Sequence, residues 1–408
     1  MTDASRRVFL QLTGGACAAL ARPAGSRTGA TAMPERAGET SSDGSTMFLC
    51  GDVMLGRGID QILPHPGDPA LHERYVGSAT TYLELAEAAS GPIPRSADYA
   101  YVWGDALDAL RRIDPAVRII NLETSISASA DFAPKGINYK MHPANIRVLT
   151  VAEIDCCVLA NNHVLDWGQA GLLETLRTLE QARIRVAGAG RGAEQAAAPA
   201  ILPLAGRARV LVFAFGATSS GIPRTWAAEH GKPGVNLLRD LSERTVEGIA
   251  ASVQAVRRQG DLLVASIHWG GNWGYDIPPE QIAFAHGLIE RAGFDVVHGH
   301  SSHHPKAIEV HRGRPILYGC GDFLNDYEGI TGEEEFRPDL AVMYLPRLAS
   351  PGGTLVEFPL EVFRIRRFRL QWASRADTSW LQARLDRESR QFGTRIELRE
   401  QNRLAVVW

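Results

Sequence analysis

A chain of 408 residues, 45% hydrophobic and 22% charged, carries enough apolar material for a sizeable core, which excludes wholesale disorder and a fibrous repeat. Its 43 basic residues against 46 acidic ones leave a formal net charge of -3, a balance that argues against a dedicated nucleic-acid partner. The length admits two or three domains as readily as one large α/β unit, so motif placement must settle the count.

The first element in chain order is a targeting segment over residues 1–32. Arg6 and Arg7 precede Val8-Phe9-Leu10 and a weakly apolar stretch, Gln11 to Ala21, interrupted by Thr13, Gly14 and Gly15. This resembles a twin-arginine export signal, and the stretch is far short of the roughly 20 residues that span a bilayer. Ala19-Leu20-Ala21 and Ala30-Thr31-Ala32 both offer small-residue cleavage patterns. Export would place the protein in the periplasm, at the cell surface or outside the cell. That route carries folded cargo, which suits a protein that loads metal before export. Residues 33–46 read as a linker.

From Met47 onward, short apolar runs alternate with helical segments. Strands are expected at Met47–Cys50, Arg118–Asn121, Ile154–Ala160, Ile184–Ala187, Arg209–Phe215, Leu262–Ile267, Asp295–His298, Pro315–Tyr318 and Leu340–Tyr344. Helices are expected at Gln169–Arg183, with Leu172, Leu173, Leu176 and Leu179 on one side, at Leu241–Gln259, and at Pro279–Ala292. The last opens on Pro278-Pro279-Glu280 and stops before Gly293, the start and stop chemistry of a helix. Such alternation predicts an α/β fold over residues 47–348.

Residues 349–408 read as a basic extension packed on that domain. From Glu361 to Trp408 there are eleven arginines against six acidic residues. Val362–Leu370 alternates like a strand with one wet face, and Asp377–Phe392 resembles a short amphipathic helix. The segment is either a solvated edge or a contact surface for an anionic polymer. The five cysteines show no disulfide framework and read as mostly buried thiols.

In an open α/β sheet the ligand site lies beyond the carboxyl ends of the strands, so polar residues that follow apolar runs carry the functional signal. Five clusters qualify: Gly51-Asp52-Val53-Met54-Leu55-Gly56-Arg57, Asn121-Leu122-Glu123-Thr124, Asn161-Asn162-His163-Val164-Leu165-Asp166-Trp167-Gly168, His268-Trp269-Gly270-Gly271, and Gly299-His300-Ser301-Ser302-His303-His304-Pro305. Taken singly, a Gly-Asp after a strand is explained as well by a turn carboxylate, and one histidine by a core hydrogen bond. The stretch from His298 to His311 is different, with five of the twelve histidines in 14 residues. Oxygen donors mixed with imidazoles suit a divalent metal, Mn, Fe or Zn, and permit hydrolytic chemistry.

The order and spacing of these clusters, over roughly Met47 to Leu345, resemble the capsule-synthesis CapA family of the calcineurin-like metallophosphoesterase superfamily. The resemblance implies a four-layer α/β sandwich, with two mixed sheets flanked by helices and the clusters gathered around two metals. By position, Asp52 matches the first aspartate, Glu123 the bridging carboxylate and Asn162 the amide ligand. His268, His300 and His303 match the imidazole ligands. His163 is implied as general acid, with Asp166 and Arg57 as further catalytic candidates, Arg57 to hold an anionic group. Three departures stand out: Met54 replaces the imidazole of Asp-x-His, Glu123 sits in Asn-Leu-Glu, and the last loop is Gly-His-x-x-His. Asp322, in Gly321-Asp322-Phe323-Leu324-Asn325-Asp326, is expected at the same rim or as a turn residue.

What the resemblance implies for function is a metal-dependent hydrolase acting in capsule or poly-gamma-glutamate synthesis or processing. The substrate would be an anionic polymer or a phosphoester, and the partners membrane-bound capsule synthesis proteins. The alternative is a non-catalytic, polymer-binding component of a capsule assembly complex. An ordinary nuclease or phosphodiesterase has less support, given Met54 and the acidic net charge.

Overall fold

In the computed structural model, residues 44–205, 208–349 and 352–408 are described. The targeting segment, most of the linker and Cys17 lie outside these residues. In chain order the principal strands are β1 (Ser45–Val53), β2 (Val117–Leu122), β3 (Cys156–Val158), β4 (Arg185–Ala187), β5 (Ala200–Pro203), β6 (Arg209–Gly216), β7 (Leu262–His268) and β8 (Val296–His300). They continue with β9 (Ile308–His311), β10 (Arg314–Leu317), β11 (Asp322–Leu324), β12 (Leu340–Tyr344), β13 (Pro359–Ile365), β14 (Arg395–Leu398) and β15 (Leu404–Val407). The principal helices are α1 (Thr80–Ser90), α2 (Ala106–Ile113), α3 (Gly168–Gln181), α4 (Glu243–Val256), α5 (Pro279–Glu290) and α6 (Arg375–Ser389).

Two large mixed sheets result, beside two short two-stranded ones. The first runs β14-β15-β13-β12-β1-β2-β3-β4, with β11 also pairing β1, and the second runs β9-β10-β8-β7-β6-β5. Around β1, β2 and β3 the pairing is parallel, as it is among β6, β7, β8 and β10. Parallel neighbours share one direction, so their carboxyl ends, and the residues that follow, collect at one edge of each sheet.

The layering follows from strand alternation, because successive side chains point to opposite faces. Met47 and Leu49 of β1, Val117 and Ile119 of β2, and Val210, Val212, Val264 and Val296 of the second sheet share one buried cluster, the core between the sheets. The intervening residues Phe48, Cys50, Ile120 and Leu122 belong instead to a cluster with Leu83 of α1, Leu110 of α2, and Leu172 and Leu176 of α3. On the far side, Leu211, Phe213, Leu263 and Val297 pack against Val246 and Ile249 of α4 and Phe284 and Leu288 of α5. The result is a helix–sheet–sheet–helix sandwich, the metallophosphoesterase-like architecture that the motif order implied.

All nine expected strands are present with boundaries shifted by a few residues, as are the three expected helices. The C-terminal segment supplies β13, β14 and β15 of the first sheet, and Leu381 and Leu385 of α6 enter the core between the sheets. Its arginines are largely engaged locally: Arg364 with Asp339, Arg390 and Arg395 with Asp386, and Arg403 with Glu361. Cys50, Cys156, Cys157 and Cys320 are buried free thiols. Among the described residues no helix is long and apolar enough to cross a membrane.

Candidate metal centre

The centre forms where the ends of the two sheets meet, and register explains much of it. Asp52 on β1 lies beside Asn121 on β2, and His268 on β7 lies beside His300 on β8. Asn121 Nδ2 donates to Asp52 Oδ1 at 2.7 Å and approaches His268 Nδ1 at 3.5 Å, so this amide links the first sheet to the second. Asn161 holds Asn121 in turn, donating to its Oδ1 at 3.0 Å and to Leu122 O at 2.9 Å. The loop after β3 therefore has a fixed exit direction, which aims Asn162 and His163 inward.

All six residues matched as ligands are brought together. His268 Nδ1 and His300 Nδ1 are 2.8 Å apart, and His268 Nε2 is 2.9 Å from Asn162 Oδ1 and 3.7 Å from Glu123 Oε1. Donor atoms of Asp52, His268 and His300 lie within 4.8 Å of one another, as do those of Asp52, His303 and Asp322, so Asp52 belongs to both groups. Ser266 Oγ is 2.9 Å from His300 Nε2 and fixes that ring from behind.

Electrostatics define the character of this cluster. Asp52 and Glu123 are fully buried, and Asp52 Oδ2 and Glu123 Oε2 have no hydrogen-bond donor among the described residues. Burial pushes the Asp52 carboxyl up to about 6; the neighbouring Glu123 carboxyl and the His303 imidazole pull it back, and the Asp322 charge adds to the rise. Glu123 is raised too, by burial and then by the Asp52 charge. His268 and His300 are held neutral by burial, the form in which imidazole ligates a metal. Buried carboxylates without donors beside neutral imidazoles are the donor set of a divalent cation, so the residues present fit one.

The proton-transfer candidates form a separate dyad at the mouth. His163 Nδ1 lies 2.6 Å from Asp166 Oδ2, while its Nε2 faces Glu123 Oε1 at 3.7 Å. Burial is the main cause that lowers the imidazole to about 4, against the pull of Asp166. His163 is thus neutral near pH 7, with its Nδ1–H held by Asp166 and Nε2 free to exchange a proton. Tyr139 packs edge-on against the ring at 4.5 Å. Asp166 Oδ2 also accepts from Tyr139 N at 2.7 Å, which ties the loop holding Tyr139 to the dyad.

One expectation needs correction. Arg57 does not present its guanidinium to a substrate: it is buried, bonds Asp326 at 2.5 and 3.1 Å and Glu73 at 3.1 Å, and lies over the Tyr82 ring at 3.7 Å. Two carboxylates neutralise its charge, so it braces the loops rather than binding an anion. The cation that does reach the mouth is Lys135, whose Nζ is 2.7 Å from Asp166 Oδ1 and 3.3 Å from His163 Nδ1 and donates to Asn162 O. No local signal marks Lys135, a lone lysine in a loop. Met54 is turned toward the Tyr327 hydroxyl, 3.6 Å from its sulfur. Asp322 is buried and accepts from His303 Nδ1 at 2.8 Å, which makes it part of the centre rather than a turn residue.

Residues 46–327 match the family model described as bacterial capsule synthesis protein PGA_cap. A probable polyglutamine synthesis accessory protein of Mycobacterium tuberculosis is 49% identical over 364 residues, 89% of this chain and 96% of the relative. The PGA biosynthesis protein CapA of Bacillus subtilis is 24% identical over 288 residues, 70% of this chain and 64% of the relative. The capsule biosynthesis protein CapA of Bacillus anthracis is 22% identical over 281 residues, 69% and 60% of the two chains.

Proposed function

The chain belongs to the bacterial capsule synthesis protein family, and from that premise we propose that it is an exported, metal-dependent hydrolase acting on a glutamate-based or other anionic surface polymer. The observation that carries the reading is the convergence of Asp52, Glu123, Asn162, His268, His300 and His303 around carboxylate oxygens that lack donors. Arg6 and Arg7 supply the reason to place it outside the cytoplasm. The names of its relatives supply the polymer class.

A divalent ion bound here would contribute Lewis-acid polarisation of a phosphoryl or carbonyl oxygen and a lowered pKa for water. The chain's own residues do the rest. Asp52, Glu123, Asn162, His268, His300 and His303 would hold the ion, and Ser266 and Asn121 orient two of those residues. His163 passes a proton at Nε2 while Asp166 keeps Nδ1 protonated and stabilises the imidazolium. Lys135, at the exposed side of the dyad, offers positive charge to an anionic substrate.

The test is metal analysis of protein purified without chelator, combined with turnover of generic phosphoesters and of polyglutamate. Stoichiometric metal with chelator-sensitive turnover is the expected result. Metal-free protein that turns over neither substrate would refute the reading. Met54 favours a second reading, a non-catalytic polymer-binding component, because a thioether in place of an imidazole weakens one ion position. Saturable polyglutamate binding through this cleft without turnover would select it.

A further inference from the structure

Asp322 opens β11, outside the five clusters that carry the matched ligands, and the fold puts it beside Asp52. Strand β11 runs parallel to β1 with Asp52 opposite Asp322, so the two carboxyls stand side by side on neighbouring strands. The register then slips between Asp52 and Val53, an irregularity of the kind that re-aims a side chain near a functional site. Asn325 Nδ2 donates to Asp322 Oδ2 at 2.8 Å, while Oδ1 faces His303 Nδ1 at 2.8 Å. Both aspartates are essentially inaccessible to solvent, and Asp52 Oδ2, next to this pair, has no donor among the described residues. Three buried carboxylates, Asp52, Glu123 and Asp322, therefore meet; Asp322 is held by His303 and Asn325, while Asp52 Oδ2 and Glu123 Oε2 lack donors among the described residues, an arrangement that a divalent cation would neutralise.

We propose that Asp322 is itself a metal ligand, forming with Asp52 and His303 an ion position beside the one bounded by Asp52, His268 and His300. It supplies at this position the charged donor that Met54 cannot. Two ions are what the superfamily resemblance already implies; what Asp322 adds is the donor that completes the second position, with Asp52 common to both groups. With two carboxylates and one imidazole, the Asp322 position is the harder of the two and suits Mn²⁺ or Fe²⁺; the His268–His300 position is richer in nitrogen. This inference rests on the metal reading above. The competing role for Asp322 is to fix the His303 tautomer from behind, as an outer carboxylate does for a ligating imidazole.

Asn at position 322 separates the two roles, because it keeps an acceptor oxygen for His303 and removes the anionic donor. The full chain is stripped with chelator, reloaded with Mn²⁺, and ions per chain are counted by mass spectrometry after gel filtration, with circular dichroism as the folding control. Wild type should hold two ions, Asp322→Asn one and His268→Ala one, and the spin-coupled Mn²⁺ resonance signal of wild type should become that of isolated ions in both variants. Two ions retained by Asp322→Asn, with affinity weakened by no more than about 100-fold, would assign the outer role and overturn the proposal. Loss of both ions from folded Asp322→Asn would overturn the separate position. A wild type with one ion that Asp322→Asn keeps and His268→Ala loses would overturn this inference and leave the metal reading standing. A wild type with none would remove both. Should Asp322→Asn fail to fold, anomalous scattering from Mn²⁺-loaded wild-type crystals decides: a peak within ligand distance of Asp322 supports the proposal, and its absence there refutes it.

Discussion

Asp52→Asn should stabilise the protein without metal and destabilise it with metal, and this reversal of sign is the sharpest test of the centre. Burial raises the Asp52 carboxyl from 3.8 to about 6 in the folded chain. A carboxyl whose folded pKa is raised binds more protons folded than unfolded, so it costs nothing below about pH 4. The cost then grows as pH rises and is complete above about pH 6. A two-unit shift corresponds to about 3 kcal/mol. Asparagine removes the charge and keeps an oxygen for Asn121 Nδ2, which donates to Asp52 Oδ1 at 2.7 Å. At pH 7.5 in chelator, the variant should gain up to about 3 kcal/mol, and near pH 4 the two proteins should unfold alike. With Mn²⁺ at about 1,000 times its dissociation constant, wild type gains about 4 kcal/mol by mass action, and the variant forfeits most of that. Urea unfolding at both pH values, with and without Mn²⁺, measures all of this, and equal slopes would show that the denatured states match. An Asp52→Asn protein less stable than wild type in chelator at pH 7.5 would refute the argument, since the carboxylate would then be a structural acceptor. Unchanged stabilisation by Mn²⁺ would remove Asp52 from the ligand set.

His163→Gln should keep its metal and lose about 10²–10⁴-fold in turnover, the usual contribution of a proton-transfer group; metal loss equal to that of His268→Ala would make His163 a ligand instead. Arg57→Met should cost about 3–5 kcal/mol in urea unfolding, because it strands Asp326 without its partner. An Arg57→Met protein of unchanged stability with weakened substrate binding would restore the anion-holding role. Replacing Arg6 and Arg7 with Lys should retain the precursor in the cytoplasm in a fractionation assay, and unchanged export would remove the twin-arginine reading.

Local chemistry was enough to read strand and helix along this chain, because the periods of apolar residues in β6, β7 and α3 are set within a few residues of sequence. The same locality made the polar clusters visible. Asn121, Glu123, Asn162, His163, His268 and His300 each lie at or just past the end of a run that must be buried, and the fold delivers them to one place because parallel strands share their carboxyl ends. What the sequence did not contain was pairing across distance. Asp322 meets Asp52 only because β11 inserts beside β1, 270 residues away along the chain. Arg57 reads as a free cation until Asp326 and Glu73 close on it, and Lys135 carries no local mark of its place beside His163 and Asp166. Periodicity reports which face of an element is buried, whereas the identity of the partner on that face is a property of the packed molecule. The candidate metal ligands therefore stood out in sequence by residue type, while the charge balance around them was decided by tertiary structure alone.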